Sequence, residues 1–260
     1  MTEIWSASAG PDDAPHITLI HGSLDRAAGL LKLSRRLSGR YRVTRYDRRG
    51  YGRSFPSDGP FGIDEQVADL SALLAAESGR VRPSVLVGHS YGGNVALALA
   101  QHRPDLVDGV VTYETPLSWR DWWPGESAGG DAVAWRSDPA EASERFMRRL
   151  IGDERWERLP ASTKRSRRAE GPAMVGELLD LRARPAWLPE RISVPVLAMY
   201  GEHGRPYHRR AAETIASELA DAELAMLAGA RHPGPNTHPD DVAEMVHAFV
   251  EARVRPTTTA

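Results

Sequence analysis

The sequence predicts an α/β fold on a mostly parallel sheet, on two observations. Short apolar strands alternate with helical stretches, and one strand runs through a glycine turn straight into a helix at Gly88-His89-Ser90-Tyr91-Gly92. Residues 16–20 are a short apolar run closed by His21-Gly22-Ser23, which reads as a buried strand ending in a loop. Residues 42–46 alternate before Asp47-Arg48-Arg49-Gly50-Tyr51-Gly52-Arg53-Ser54, a glycine-broken turn. Over 63–76 the apolar residues Ile63, Val67, Leu70, Leu73 and Leu74 recur at helical spacing. Asp64 and Glu65 fall in the first turn, where the helix dipole favours negative charge. Ser84-Val85-Leu86-Val87 is nearly all apolar, as a parallel strand covered on both faces must be. A helix over 94–101, strands over 106–113 and 194–200, and helices over 209–219 and 241–253 continue the alternation.

Between 116 and 191 the strand signal disappears and Trp, Arg, Glu and Pro dominate, with helical stretches near 141–151 and 174–184. The expected organisation is a core domain of residues 1–116 and 191–260, with a helical lid inserted at 117–190. A frayed tail is expected at 256–260.

The 260 residues suffice for one large domain, and 26% charged with 41% hydrophobic residues is a globular composition. A net charge of -2 offers no general attraction to nucleic acid or anionic lipid, so a small-molecule substrate is the expected partner and a homodimer stays open. The absence of cysteine removes disulfides, thiol nucleophiles and cysteine-bound metals, and no metal or organic cofactor is expected. Residues 1–10 carry no basic cluster followed by an apolar stretch, and the longest clean apolar run is about 95–100. The cytoplasm is therefore the default location, and no membrane span is expected.

In Gly88-His89-Ser90-Tyr91-Gly92-Gly93 a serine stands between buried strand and helix, with glycines permitting a tight turn that exposes its hydroxyl. Ser90 is the candidate nucleophile. A serine hydroxyl is weak at neutral pH and needs a histidine base held by a carboxylate. Of nine histidines, His232 is preferred, in a loop after the last apolar segment and before the final helix; His238 is the rival, but looks like a helix entry.

These motifs resemble, in order and over essentially the whole chain, the α/β-hydrolase superfamily. His21-Gly22-Ser23 resembles its oxyanion loop, the 47–54 turn its post-strand turn, Gly88 to Gly93 its nucleophile elbow and Gly229-Ala230-Arg231-His232 its histidine loop. The resemblance implies an α/β-hydrolase fold with helices on both faces of the sheet. It also implies an oxyanion hole from the backbone N–H groups of Ser23 and Tyr91, Leu24 replacing Ser23 if the register slips by one. The acid departs from the usual pattern. Many relatives carry aspartate three residues after the glycine that ends the strand before the histidine loop, but Tyr200-Gly201-Glu202-His203-Gly204 has glycine there. Some relatives place the acid after the strand that follows the nucleophile helix, which offers Glu114; Glu202 is its rival.

Trp119, Trp122, Trp123, Trp135 and Trp156 lie in the insertion. Most are expected to form its own small core, one or two of them, with Trp119, Trp122 and Trp123 as candidates, lining an apolar substrate pocket. The run Lys164-Arg165-Ser166-Arg167-Arg168 is expected to be a solvated, ion-paired helix face. The function expected is hydrolysis of a carboxylic ester, thioester or lactone of a small, largely apolar substrate through an acyl-enzyme. The alternatives are a carbon-carbon bond hydrolase or lyase, or a non-enzymatic small-molecule receptor on the same fold.

Overall fold

The computed structural model describes residues 3–76 and 83–254, so the tail expected to fray at 256–260 lies outside the described residues. Seven strands form one sheet: β1 (Ser6–Ala9), β2 (His16–Ile20), β3 (Arg42–Tyr46), β4 (Ser84–His89), β5 (Gly109–Tyr113), β6 (Val196–Gly201) and β7 (Ala222–Leu227). Their order is β1-β3-β2-β4-β5-β6-β7, and only β1 pairs antiparallel, with β3.

The expected strands form, with two trimmed starts. Pro104–Leu106 is a 3-10 turn, so the strand expected from 106 begins at Gly109, and the one expected from 194 begins at Val196. The edge strands β1 and β7 carry no legible signal. Ser6–Ala9 is short and mostly exposed, and β7 exposes Glu223, Leu224 and Met226.

The near-continuous apolar character of β4 follows from coverage on both faces. Strand side chains alternate, so Leu86 enters one core with Ile20, Val110 and Ala198, while Val85 and Val87 enter the other with Ile17, Leu19, Val111 and Leu197. Helices α1 (Leu31–Leu37) and α11 (Pro239–Arg253) close the second core; α2 (Ile63–Ala76), α3 (Tyr91–His102) and α9 (Pro206–Glu218) close the first.

Between β5 and β6 lie five helices, α4 (Ala128–Ala134), α5 (Pro139–Ile151), α6 (Asp153–Glu157), α7 (Ala161–Ala169) and α8 (Gly171–Ala183). The short α10 (Gly234–Thr237) precedes α11. Asn94 on α3 ties both ends of this insertion, donating to the Pro116 carbonyl at 2.8 Å and accepting from Trp187 Nε1 at 3.0 Å. No helix among the described residues is long and apolar enough to cross a membrane.

The tryptophans depart from expectation. Only Trp156 belongs to the insertion's own core, with Ala142, Met147, Met174 and Leu178. Trp123 is buried in the core against the sheet, Trp119 and Trp122 pack on it, and Trp135 is exposed beneath Arg145. Trp119, Trp122 and Trp123 lie between β5 and α4, in the part of the insertion that precedes its first helix, so the sheet core reaches them. The basic run behaves as expected: on α7, Lys164 pairs with Glu157 at 2.7 Å, Arg167 with Glu170 at 3.2 Å and Arg168 with Glu144.

Several ion pairs join the insertion to the core, among them Arg26–Glu170 at 2.6 Å and Arg184–Asp64 at 2.8 Å, and one of them is buried on both sides. Arg48, after β3, and Glu177, on α8, are both fully buried, with Arg48 Nη1 2.7 Å from Glu177 Oε2. Tyr51 Oη donates to Glu177 Oε1 at 2.7 Å, and Arg48 Nε and Nη2 donate to the carbonyls of His21 and Gly22 at 2.9 and 3.1 Å. Burying two charges is favourable only when their remaining hydrogen-bonding capacity is met, as here. Replacing Glu177 by Ala strands the guanidinium, so Glu177→Ala should lower unfolding free energy by about 3–5 kcal/mol in urea titration, and the apolar pair Arg48→Met/Glu177→Leu by much less. Equal losses from both variants would contradict this account.

Candidate active site

Ser90 sits between β4 and α3 at φ 53°, ψ -125°, a conformation that non-glycine residues rarely adopt. The turn is held by crowding: a Cβ on Gly92 would stand 2.3 Å from the Ile20 carbonyl oxygen. Ser90 N donates to the Tyr113 carbonyl at 2.8 Å, fixing the turn to β5. Tyr91 opens α3, so its N–H belongs to the first turn, whose donors have no intrahelical acceptor.

The 21–23 loop lies directly against the serine, since a Cβ on Gly22 would be 3.4 Å from Ser90 Oγ. His21 fixes this loop in one tautomer: Nδ1 donates to the Gly22 carbonyl at 2.8 Å while Nε2 accepts from Arg48 N at 2.9 Å. Burial, reinforced by Arg48, pushes its pKa well below the ordinary histidine value. Ser23 is buried in this loop, and Leu24 beside it adopts φ 50°.

Glu114 follows β5 at φ 46° with its side chain fully buried. Its Oε2 lies 2.7 Å from His232 Nδ1, and its Oε1 accepts from Gly201 N at 3.1 Å. Gly204 makes room for it, because a Cβ there would stand 2.1 Å from Glu114 Oε1. Thus the glycine where many relatives carry aspartate and the glutamate after β5 are two halves of one arrangement. Glu202 is exposed and instead accepts from Gly229 N at 2.7 Å, bracing the turn before His232. His238 pairs with Thr237 Oγ1 at 2.8 Å and precedes α11, as a helix-entry residue should.

Two more histidines complete the cluster. The rings of His89 and His208 each lie 4.8 Å from the His232 ring, at 45° and 25°, and His89 Nε2 donates to the His232 carbonyl at 2.9 Å. Burial, with His232 adding to it, holds His89 down at about 3 and His208 well below the ordinary range. His89 lay inside the elbow motif without an assigned role. His208 carries no local signal: α9 starts at Pro206 rather than at 209, and that additional turn brings the residue to the site.

Trp123 reaches the cluster at one remove, its ring 5.5 Å from that of His208, whereas Trp122 lies under Arg210 and Trp119 packs on Trp187. Glu114, His208 and His232 offer ligand atoms within 4.8 Å of one another. With the two imidazoles stacked at 25°, however, their lone pairs lie in nearly parallel planes and do not converge in-plane on one point between them, so a shared metal would require one ring to turn.

A sequence profile of the α/β hydrolase family matches residues 19–245. The chain belongs to the α/β hydrolase family. It is 25% identical over 268 residues to the pimeloyl-[acyl-carrier protein] methyl ester esterase of Yersinia pseudotuberculosis serotype IB, covering 96% of this chain and 98% of that one. Its fold is similar to that of the enol-lactonase of Burkholderia xenovorans LB400, with a TM-score of 0.76, 22% identity and coverage of 95% and 96%. It is also similar to a thermophilic esterase of Thermogutta terrifontis, with a TM-score of 0.74, 20% identity and coverage of 95% and 93%.

In this α/β hydrolase three imidazoles, those of the buried His21 and His208 and of the half-buried His89, stay neutral in the fold but protonate in the unfolded chain below about pH 6.5. The unfolded state then binds more protons, so stability is full above that pH and is lost as pH falls, by about 1.4 kcal/mol per pH unit for each histidine. Denaturant unfolding between pH 6.5 and 5 should show this slope, and His89→Gln, which keeps a donor to the His232 carbonyl, should reduce it by one proton. An unchanged slope in that variant would refute the assignment.

Proposed function

We propose that the protein is a serine hydrolase that cleaves a carboxylic ester, thioester or lactone of a small, largely apolar substrate through an acyl-enzyme. The observation that carries this reading is the 2.7 Å contact between Glu114 and His232 at the sheet end where Ser90 occupies its strained turn. Ser90 Oγ attacks the carbonyl carbon as His232 takes its proton, and Glu114 holds the imidazole by Nδ1–H and stabilises the imidazolium. The N–H groups of Tyr91 and Ser23 receive the charge that develops on the carbonyl oxygen. The tetrahedral intermediate collapses as His232 protonates the leaving oxygen or sulfur. Water, deprotonated by His232, then attacks the acyl-Ser90 ester, and Ser90 recovers its proton as the acid leaves.

Residues 117–190 serve as a lid over the catalytic core of 1–116 and 191–260, with Trp119, Trp122 and Trp123 providing apolar contact for the substrate. The esterases and the lactonase among the similar proteins support an acyl-oxygen substrate class.

A fluorophosphonate probe should label Ser90 in the folded protein and not in Ser90→Ala, and failure to label would overturn the reading. Turnover of p-nitrophenyl esters should fall about 10²- to 10⁴-fold in Glu114→Gln, which disturbs the imidazole tautomer, and stay within a few-fold in Glu202→Gln. The reverse pattern would assign the acid to Glu202.

Gly204 offers a second test of the acid. Gly204→Ala should mimic the loss of Glu114 by displacing its carboxylate, whereas Glu114→Ala/Gly204→Asp should recover part of the activity that Glu114→Ala loses. Strictly additive effects in that double-mutant cycle would break the proposed coupling.

A further inference from the structure

The Glu114 hydrogen bond fixes His232 at one atom only, and a ring held by one nitrogen can still swing about that contact. The backbone of its loop is pinned elsewhere: Tyr113 Oη donates to the Arg231 carbonyl at 2.8 Å, His203 N to the Ala230 carbonyl at 2.8 Å and His89 Nε2 to the His232 carbonyl at 2.9 Å. None of these bonds restrains the ring itself. The restraint comes from its neighbours, His89 at 4.8 Å and His208, stacked at 25° and also 4.8 Å away. His208 is itself wedged, with Trp123 edge-on at 5.5 Å and Tyr207 at 4.7 Å.

We propose that His208, at the start of α9, is a positioning residue for the base: its ring stacks on His232 and holds that imidazole in the plane that keeps Nδ1 on Glu114. This rests on the hydrolase reading above and deepens it. The charged and titratable groups facing His208 are His232, His89, Glu114 and Arg205. Burial, then His232, His89 and Arg205, disfavour a proton on His208 and outweigh the opposing hydrogen bond to the Glu114 backbone, so when His232 is protonated the two rings form a cation stacked on a neutral π system, which is attractive, rather than two repelling cations. A ring nitrogen of His208 bonds the Glu114 backbone and so helps seat the ring, but the stacking on His232 does not use that nitrogen. The stacking requires a flat ring of similar breadth.

The test compares His208→Ala with His208→Phe. The second-order rate of fluorophosphonate labelling at Ser90 should fall about tenfold to a hundredfold in His208→Ala, with a shifted pH midpoint, and return to within about threefold in His208→Phe. With p-nitrophenyl esters the loss should appear in kcat and leave KM nearly unchanged. In parallel, the Nδ1 proton of His232, observed by nitrogen-edited NMR, should exchange faster with water in His208→Ala and recover in His208→Phe. Wild-type labelling rate and pH midpoint in His208→Ala would overturn the proposal, as would a His208→Phe variant of wild-type melting temperature with less than a tenth of the wild-type rate. The Phe variant keeps the test decisive if the Ala variant does not fold. If wild-type Ser90 fails to label at all, the hydrolase reading falls, while the NMR comparison still decides whether His208 positions the ring.

Discussion

The geometry around His232 depends on one buried carboxylate. Glu114 has no exposure to water, and a charge in that position is tolerable only if it is paired and hydrogen-bonded. The fold meets this demand with Gly201 N on one oxygen and His232 Nδ1 on the other, and leaves Gly204 without a side chain so that the carboxylate fits. The end of β5, the end of β6 and the loop after β7 are thereby bound to a single side chain. The positive φ of Glu114 resembles that of Ser90: two adjacent parallel strands each finish in a strained residue that carries a polar group toward the same region.

The opposite flank of Ser90 depends on Arg48. Its guanidinium and backbone hold His21 and Gly22, and therefore the loop that lies against the serine, while Glu177 on α8 neutralises it. Such an arginine cannot relax by losing its proton, because guanidinium stays charged across the whole physiological range. The loop and the insertion helix are thus bound to each other as firmly as the ion pair is bound to itself.

How far these features could be read in advance follows from the range of the interactions. The central strands and the elbow were legible because burial on both faces and a strand–glycine–helix turn are local patterns. Glu114 was legible as well, from its place after an apolar strand and from the glycine at 204, although which carboxylate meets His232 is a three-dimensional fact. Edge strands were invisible because Ser6–Ala9 and Ala222–Leu227 bury too little to impose alternation. Arg48 and Glu177 are 129 positions apart, and each alone looks like a surface charge. His208 became visible only once α9 was seen to start at Pro206. Of the insertion's tryptophans, Trp156 packs in its own core, whereas Trp119, Trp122 and Trp123 pack with the sheet core, a difference that no local pattern marks.

Two of the insertion's contacts with the end of the sheet that carries Ser90 and His232 differ in kind. Through Glu177 and Arg48 the insertion reaches the loop beside Ser90, and the segment leading into its helices reaches His232 through Trp123 and His208. Displacing α8 would break charge-assisted hydrogen bonds at a buried site. Displacing Trp123 would loosen only ring contacts, which are individually weaker and more tolerant of sliding. A displacement of the insertion therefore costs less on the Trp123 side than on the Arg48–Glu177 side. Residues 21–23 would then stay in place beside Ser90, and the ring packing around His232 would be the part that changes.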